Sequence, residues 1–289
     1  MVGYLIILNG NILIIILILT STNLHTPMYF FLSNLSFLDL CFSTSIIPRM
    51  LRDLVSEKKT IAYAECATQL YMSLALGQTE CILLSIMAYD RYVAICFPLH
   101  YTTIMNKMIC VRIAAITWMC GFLIPISQVA FTLNVNLCGK NKINHFLCEV
   151  PEILSMSCEN TIFIEGITYV VGVIILMTPV TFIVVSYAKI IISILKIASS
   201  VGRRKAFSTC GSHMIVVTIF YGSAIAAYMK PSSIPGTDKV IAIFYVIVPP
   251  MLNPIIYTLR NNEIKVAFMK FRNRYFFANE RGKASINST

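Results

Sequence analysis

Two carboxylates, Asp39 and Glu80, sit within apolar runs of the chain, at Leu38-Asp39-Leu40 and at Gly77-Gln78-Thr79-Glu80-Cys81. An ionisable group is expensive in such surroundings, so each marks a place where function chose the residue. Held close together, two carboxylates cannot both stay ionised cheaply unless they share a proton or hold a cation. A third acid, Asp90, precedes Arg91 and Tyr92 where another apolar run ends. By itself this is a cation at a membrane border, which a snorkelling arginine would also explain. Nucleophilic chemistry is poorly supplied. Ser212 and His213 are adjacent, but neighbours on a helix point about 100° apart. Neither Gly-x-Ser-x-Gly nor His-Glu-x-x-His occurs. No catalytic residue is expected, and the chain is read as no enzyme.

These groups need elements to hold them, and composition says which. Of 289 residues, 57% are hydrophobic and 12% charged, with a mean hydropathy of +0.76; a soluble domain carries about 25% charged residues. A soluble enzyme is excluded, and modest Gly (12) and Pro (11) exclude collagen-like and low-complexity classes. Seven apolar stretches approach the span of about 20 residues that crosses a bilayer as helix. They run from Val2 to Thr20, Tyr29 to Leu51, Cys66 to Ala94, Met108 to Val129, Ile162 to Ala188, Ser212 to Met229 and Val240 to Leu259. None shows the period-two alternation of a membrane barrel. The expected fold is all-α, a seven-transmembrane helix bundle in a single domain (1–277), followed by a short cytoplasmic tail (278–289).

Charge sets the orientation. The net charge is +10, from 23 Lys and Arg against 13 Asp and Glu. With the amino terminus outside, most basic residues fall on the cytoplasmic side, among them Arg91, Lys107, Arg112, Arg203, Arg204, Lys205 and those of the tail. The basic excess is thus a positive-inside pattern rather than a nucleic-acid surface. Beyond the seventh span, Ile264, Ala267, Phe268, Phe271 and Tyr275 recur at three- and four-residue intervals opposite Lys265, Lys270, Arg272 and Arg274. An amphipathic helix lying on membrane lipid at the inner leaflet is expected there. The first span starts at Met1 without a basic n-region or cleavage site, so a signal peptide is not expected. Sequons at Asn34 and Asn287 fall at a membrane border and in the tail, so N-glycosylation is not expected either. The halves show no self-similarity of the kind transporters carry.

The motifs narrow the class. Met87-Ala88-Tyr89-Asp90-Arg91-Tyr92-Val93-Ala94-Ile95-Cys96 closes the third span. Gly10-Asn11 lies in the first, and Leu24-His25-Thr26-Pro27-Met28-Tyr29-Phe30-Phe31-Leu32, with Asp39, opens the second. Lys205-Ala206-Phe207-Ser208-Thr209-Cys210-Gly211-Ser212-His213 enters the sixth, and Pro250-Met251-Leu252-Asn253-Pro254-Ile255-Ile256-Tyr257 ends the seventh. In order and spacing these runs resemble the vertebrate olfactory receptors, a branch of the rhodopsin-like G-protein-coupled receptors. Met-Ala-Tyr-Asp-Arg-Tyr and the Phe220-Tyr221-Gly222 step are similar to the tetrapod-type (class II) subfamily. The extracellular sequon-bearing tail usual in the family, and the helix before its Gly-Asn pair, are missing here, as a truncated gene model or later start codon would leave them.

The resemblance implies roles. Positions matching Asn11, Asp39 and Asn253 form a polar core that often takes a sodium ion; Glu80 adds a second carboxylate, so a sodium ion is expected near Asp39 and Glu80. Asp90 is implied to hold Arg91 at rest, within Asp90-Arg91-Tyr92. Activation swings the sixth helix outward and frees Arg91 for the G protein, supported by Tyr187 and Tyr257. Pro179 and Pro254 are plausible hinges, because a proline inside a span frees carbonyls that must be re-satisfied. Ser73, Leu74, Gly77, Gln78 and Cys81 share a face of the third span by their spacing, and match the family's pocket. Val171, Gly172 and Ile175 from the fifth span, Tyr221, Ala224, Ile225 and Tyr228 from the sixth, and Val246 from the seventh complete it. This lining is apolar and uncharged, with Ser73, Gln78, Tyr221 and Tyr228 as sparse hydrogen-bonding groups. Ser73 stands where aminergic receptors place Asp, which disfavours amines. The implied ligand is a small volatile odorant; the implied partner is a stimulatory olfactory G protein that raises cyclic AMP. The expected location is the plasma membrane of olfactory cilia.

The chain has ten cysteines. Cys66 begins the third span at the outer face, and Cys138, Cys148 and Cys158 lie in the second outer loop, an oxidising compartment. Four thiols allow three pairings, and sequence alone does not choose. The resemblance implies Cys66 with Cys148 and Cys138 with Cys158, which would leave His145-x-x-Cys148-Glu149 without a thiolate for a metal. The other six read as small apolar residues of the spans.

Overall fold

The computed structural model describes residues 1–138, 142–228 and 237–273. Its helices are α1 (Val2–Thr20), α2 (Pro27–Val55), α3 (Tyr63–Cys96), α4 (Tyr101–Ile104), α5 (Lys107–Leu133), α6 (Val150–Leu154), α7 (Ile162–Leu195), α8 (Ser200–Tyr228) and α9 (Thr237–Arg260). Residues 262–273 form a further helix, α10. Seven of these, α1, α2, α3, α5, α7, α8 and α9, are long and apolar enough to cross a membrane. The seven-span bundle is therefore as expected, and no strand is present among the described residues beyond an isolated bridge between Leu137 and Ser157.

Most spans run past the bounds that hydropathy alone sets. α3 has 34 residues, about 51 Å at 1.5 Å each, against a hydrocarbon core of about 30 Å. A helix needs no lipid to continue, and its ends go on into the aqueous layers until a breaker or a cap intervenes. At the start of α5 the Asn106 side chain accepts the Ile109 amide at 3.0 Å, the usual satisfaction of an orphan helix donor. α2 begins with Pro27 in its first turn, where the missing N–H goes unmissed. Pro48, Pro125, Pro179 and Pro254 all sit inside helices.

α3 runs through the middle of the bundle, packed against α2, α5, α7 and α8, while α1 closes against α2 and α9, and α8 against α9. Two close approaches explain small residues. A β-carbon on Gly10 would stand 2.9 Å from Pro254, so only glycine lets α1 meet α9. A β-carbon on Gly121 would overlap the Thr79 side chain, which sets the spacing of α5 on α3. The main apolar core lies toward the cytoplasmic side, where Phe31, Leu84, Met87, Ile190, Ile194 and Tyr257 are buried. Elsewhere Leu123, Phe131, Val184 and Ile192 stand exposed, as side chains facing lipid do.

On the outer side both expected disulfides form. Cys66 pairs with Cys148 and Cys138 with Cys158, each with α-carbons 5.4 Å apart. Reciprocal backbone bonds from Cys138 to Met156 and from Cys158 to Asn136, each 3.1 Å, zip the small loop beside the second bridge. On the inner side α10 buries Ile264 and Ala267 and packs Phe271 against the core, with Lys265, Lys270 and Arg272 outside. Arg274 and Tyr275 lie outside the described residues. Tyr29 at the start of α2 donates to Glu263 at 2.7 Å and bonds Asn261, which fixes where α10 leaves the bundle.

Candidate functional site: polar core, inner switch and outer pocket

Asn11, Asp39, Glu80 and Asn253 are all buried. Asn253 of α9 donates to Asp39 of α2 at 2.9 Å. Asn11 of α1 donates to the Pro250 carbonyl at 3.1 Å and to Ile7 at 3.0 Å. Pro254 cannot donate to the Pro250 carbonyl, four residues before it, so the Asn11 amide supplies what the helix lacks. The fourth of these buried groups, Glu80, comes from α3. Asp39 Oδ1, Glu80 Oε1 and Asn11 Oδ1 are buried without a hydrogen-bond partner. Unfilled buried oxygens are costly, and an all-oxygen donor set of this kind suits a hard cation such as sodium.

The inner switch differs from expectation. Asp90 and Arg91 form no ion pair; Asp90 Oδ1 instead accepts the Tyr101 hydroxyl at 2.8 Å. Successive side chains on α3 diverge by about 100°, which turns Asp90 toward α4 while the Arg91 Nε is buried without a partner. Burial, then the adjacent Asp90 carboxylate, raise the Tyr101 phenol above its ordinary range, so it remains a donor at neutral pH. Tyr92 packs edge-on against Phe97, with the Lys189 ammonium 5.6 Å from its ring centre. The Tyr187 hydroxyl is 2.8 Å from Nδ1 of His213, whose Nε2 lies 3.2 Å from the Leu84 carbonyl. His213 thus ties α8 to both α7 and α3. Sequence reasoning missed this role, although His213 closes the motif that enters the sixth span. A lone histidine in an otherwise apolar helix segment was the available signal. Tyr257 is buried with its hydroxyl unpartnered.

The outer pocket residues divide. Ser73, Leu74 and Gly77 are half-buried on one face of α3, and a β-carbon on Gly77 would meet no atom within 4 Å. Tyr221 of α8 donates to the Cys81 carbonyl at 2.8 Å, and Cys81, Ala224 and Ile225 pack in the same apolar cluster. Val246 is fully buried in a cluster with Leu76 and with Leu147 of the outer loop. On α7, Val171 and Ile175 are half-buried, while Gly172 is exposed. Gln78 departs from expectation: its amide donates to Gln128 of α5 at 2.9 Å and is buried there. One step beyond Gly77 rotates it away from the open side and into the α3–α5 contact. The side chain of Tyr228 lies outside the described residues.

Seven spans, an outer loop pinned by disulfide to the third, an Asp-Arg-Tyr at its inner end and an Asp–Asn link into the seventh define a receptor of the G-protein-coupled class. Residues 1–273 match the olfactory receptor family. The chain is 48% identical to human olfactory receptor 2B2 over 270 residues, covering 93% of this chain and 76% of the relative. It is 50% identical to human olfactory receptor 13F1 (95% and 86% covered) and 51% identical to mouse olfactory receptor 2C1 (92% and 86%). The chain belongs to the olfactory receptor family. It is a multi-pass plasma-membrane receptor for odorants that acts through G proteins, and it is not an enzyme.

Proposed function

We propose that the receptor takes small, volatile, mostly apolar odorants in the outer half of the bundle and activates a stimulatory olfactory G protein, raising cyclic AMP. The observation that carries the ligand class is the open space at Gly77, on the α3 face shared by Ser73 and Leu74. No charged side chain is among the proposed pocket residues, so an ionic ligand would lose its hydration without a partner. Ser73 and Tyr221 orient a ligand's polar atom, and Val171, Ile175, Ala224, Ile225 and Val246 supply apolar walls.

In the same reading Arg91 is the group that meets the G protein, and its release depends on α8 moving. The Tyr187–His213–Leu84 chain holds α8 against α7 and α3, and breaking it is the step that opens the inner face. Asp39 and Glu80 hold a sodium ion in the resting receptor, with Asn253 keeping Asp39 in place.

The test is a cyclic-AMP reporter screen of an odorant panel beside Arg91→Ala. At least one neutral odorant is expected to raise cyclic AMP in the parent receptor, with no rise in Arg91→Ala at matched surface level. Activation confined to charged ligands, or a response retained by Arg91→Ala, contradicts the reading.

A further inference from the structure

The outer half of α7 is uncovered on the face where its inner half packs. Toward the cytoplasm from Pro179 the helix buries Ile183, Tyr187, Ile190 and Ile194, and Tyr187 faces α8, where it meets His213. On the outer side every residue from Ile162 to Ile175 is exposed or half-buried. At about 3.6 residues per turn, positions about 18 apart point the same way. Tyr169 therefore points as Tyr187 does, and Gly172 as Ile190 does. Yet Tyr169 is 57% exposed, Gly172 is exposed, and a β-carbon on Gly172 would meet no atom within 4 Å. The strip that closes on α8 at the inner end stands open at the outer end.

What cover the outer half has lies to one side. Ile164, Thr168, Val171 and Ile175 are half-buried at four- and three-residue spacing, on a face about 100° away from that strip. Ile164 packs on the cluster of Cys66, Leu70, Val135 and Cys148, so this end of α7 rests on α3 and the outer loop. α8 has little with which to fill the gap. Gly222-Ser223-Ala224-Ile225-Ala226-Ala227 carries one large side chain, Ile225, and a β-carbon on Gly222 would also meet no atom within 4 Å.

The way in from water, in contrast, is fastened. Cys148 is bridged to Cys66, Leu147 is buried with Leu76 of α3 and Val246 of α9, Tyr245 of α9 donates to Glu149, and Lys239 of α9 donates to Asn144 at 2.8 Å. These ties draw the outer loop across the mouth between α3 and α9. The gap beside α7 lies deeper. Glu165, an exposed acid on the open strip, marks where α7 leaves the water. Gly172 is two turns further in, about 10 Å, within a hydrocarbon core of about 30 Å. Residues 168–175 of α7 and 222–227 of α8 include no charged side chain.

We propose that odorants reach the pocket sideways from the outer leaflet, through a portal between the outer halves of α7 and α8 rimmed by Tyr169 and Gly172. This rests on the ligand reading above: a neutral apolar molecule concentrates in lipid and passes an uncharged seam without losing the hydration of an ion. Val171 and Ile175 of α7, with Ala224 and Ile225 of α8, are the pocket walls that the portal reaches first.

The test places a thiol in the pocket, by Ser73→Cys, in the whole receptor in phosphatidylcholine nanodiscs, and follows its modification by mass spectrometry. Two reagents share one reactive group: benzyl methanethiosulfonate, which enters lipid, and sulfonatoethyl methanethiosulfonate, which is charged and stays in water. The benzyl reagent should react the faster at position 73. Adding Gly172→Trp should slow it about tenfold, equivalent to about 1.4 kcal/mol on the barrier, and leave the sulfonate reagent unchanged. Adding Glu149→Ala, which unfastens the loop, should speed the sulfonate reagent alone. If Gly172→Trp fails to give monodisperse protein, Tyr169→Ala decides, with a several-fold faster benzyl reaction expected. A faster sulfonate reaction in the parent, or benzyl rates that follow Glu149→Ala and ignore the α7 variant, overturns the portal. A thiol at position 73 that neither reagent reaches overturns the pocket itself, and the route with it.

Discussion

The two ends of the bundle are held by different physics. The outer end is stitched covalently and electrostatically: two disulfides, the Arg49 clamp across α2, α3 and their loop, and a Tyr245–Glu149 hydrogen bond from α9 to the outer loop. On the same half of α3, a β-carbon on Gly77 would meet no atom within 4 Å. The inner end has no covalent tie among the described residues and is closed by dense apolar packing with a few directed bonds, Tyr101 to Asp90, Tyr187 to His213 and Tyr29 to Glu263. A covalent frame keeps a cavity from collapsing when nothing fills it. Hydrogen bonds worth about 1 kcal/mol each can be exchanged when a ligand shifts the balance. The rigid end can therefore select, and the breakable end can switch.

Four substitutions probe that contrast, from the largest expected effect to the smallest. Cys66→Ser removes a bridge spanning 82 residues, which chain-entropy reasoning values at about 4.5 kcal/mol. Surface staining should fall to background, and the Cys66→Ser, Cys148→Ser double variant should be no worse than either single one. Additive losses would show that the two thiols act separately. Gly10→Leu forces side-chain atoms into Pro254 and should cost about 1–3 kcal/mol. A lowered melting temperature of purified receptor is the measurement, and unchanged melting would mean that α1 and α9 are not in close contact. Gln78→Leu leaves the buried Gln128 side-chain oxygen without its donor, at about 1–2 kcal/mol. Surface level should drop modestly while odorant rank order stays the same; a changed order would return Gln78 to the pocket. Tyr101→Phe takes the donor from Asp90 at a part-buried contact, worth roughly 1 kcal/mol, or about fivefold. Basal cyclic AMP should rise by no more than that, and unaltered basal signal would remove Tyr101 from the switch.

The contrast also explains what sequence could supply. Hydropathy finds seven spans because lipid forces backbone groups to bond within their own segment. The polar core was legible because Asp39 and Glu80 are unaffordable in lipid without a purpose, and Asn253 duly bonds Asp39. The disulfide pairing came only through the resemblance, since spacing leaves three pairings open. Side-chain direction was the weak point. Gln78 and Asp90 stand next to Gly77 and Arg91 in sequence, and one residue turns a helix by about 100°, enough to send Gln78 into the α3–α5 contact and Asp90 toward Tyr101. The Tyr29–Glu263 link joins positions 234 residues apart, and no local pattern in either segment announces the other.

The central claim is that odorants occupy the space beside Gly77 while the inner bonds carry the signal, and Gly77→Leu tests it most directly. A β-carbon at this position meets no atom within 4 Å, so folding and surface level should change little. Concentration–response curves in a cyclic-AMP reporter, over a homologous series of odorants graded by size, should lose the largest agonists most, by tenfold or more for one displaced methylene contact or two. The smallest agonists and the basal signal should be retained. An equal loss across the series, or curves that superimpose on the parent receptor at matched surface level, would contradict the account.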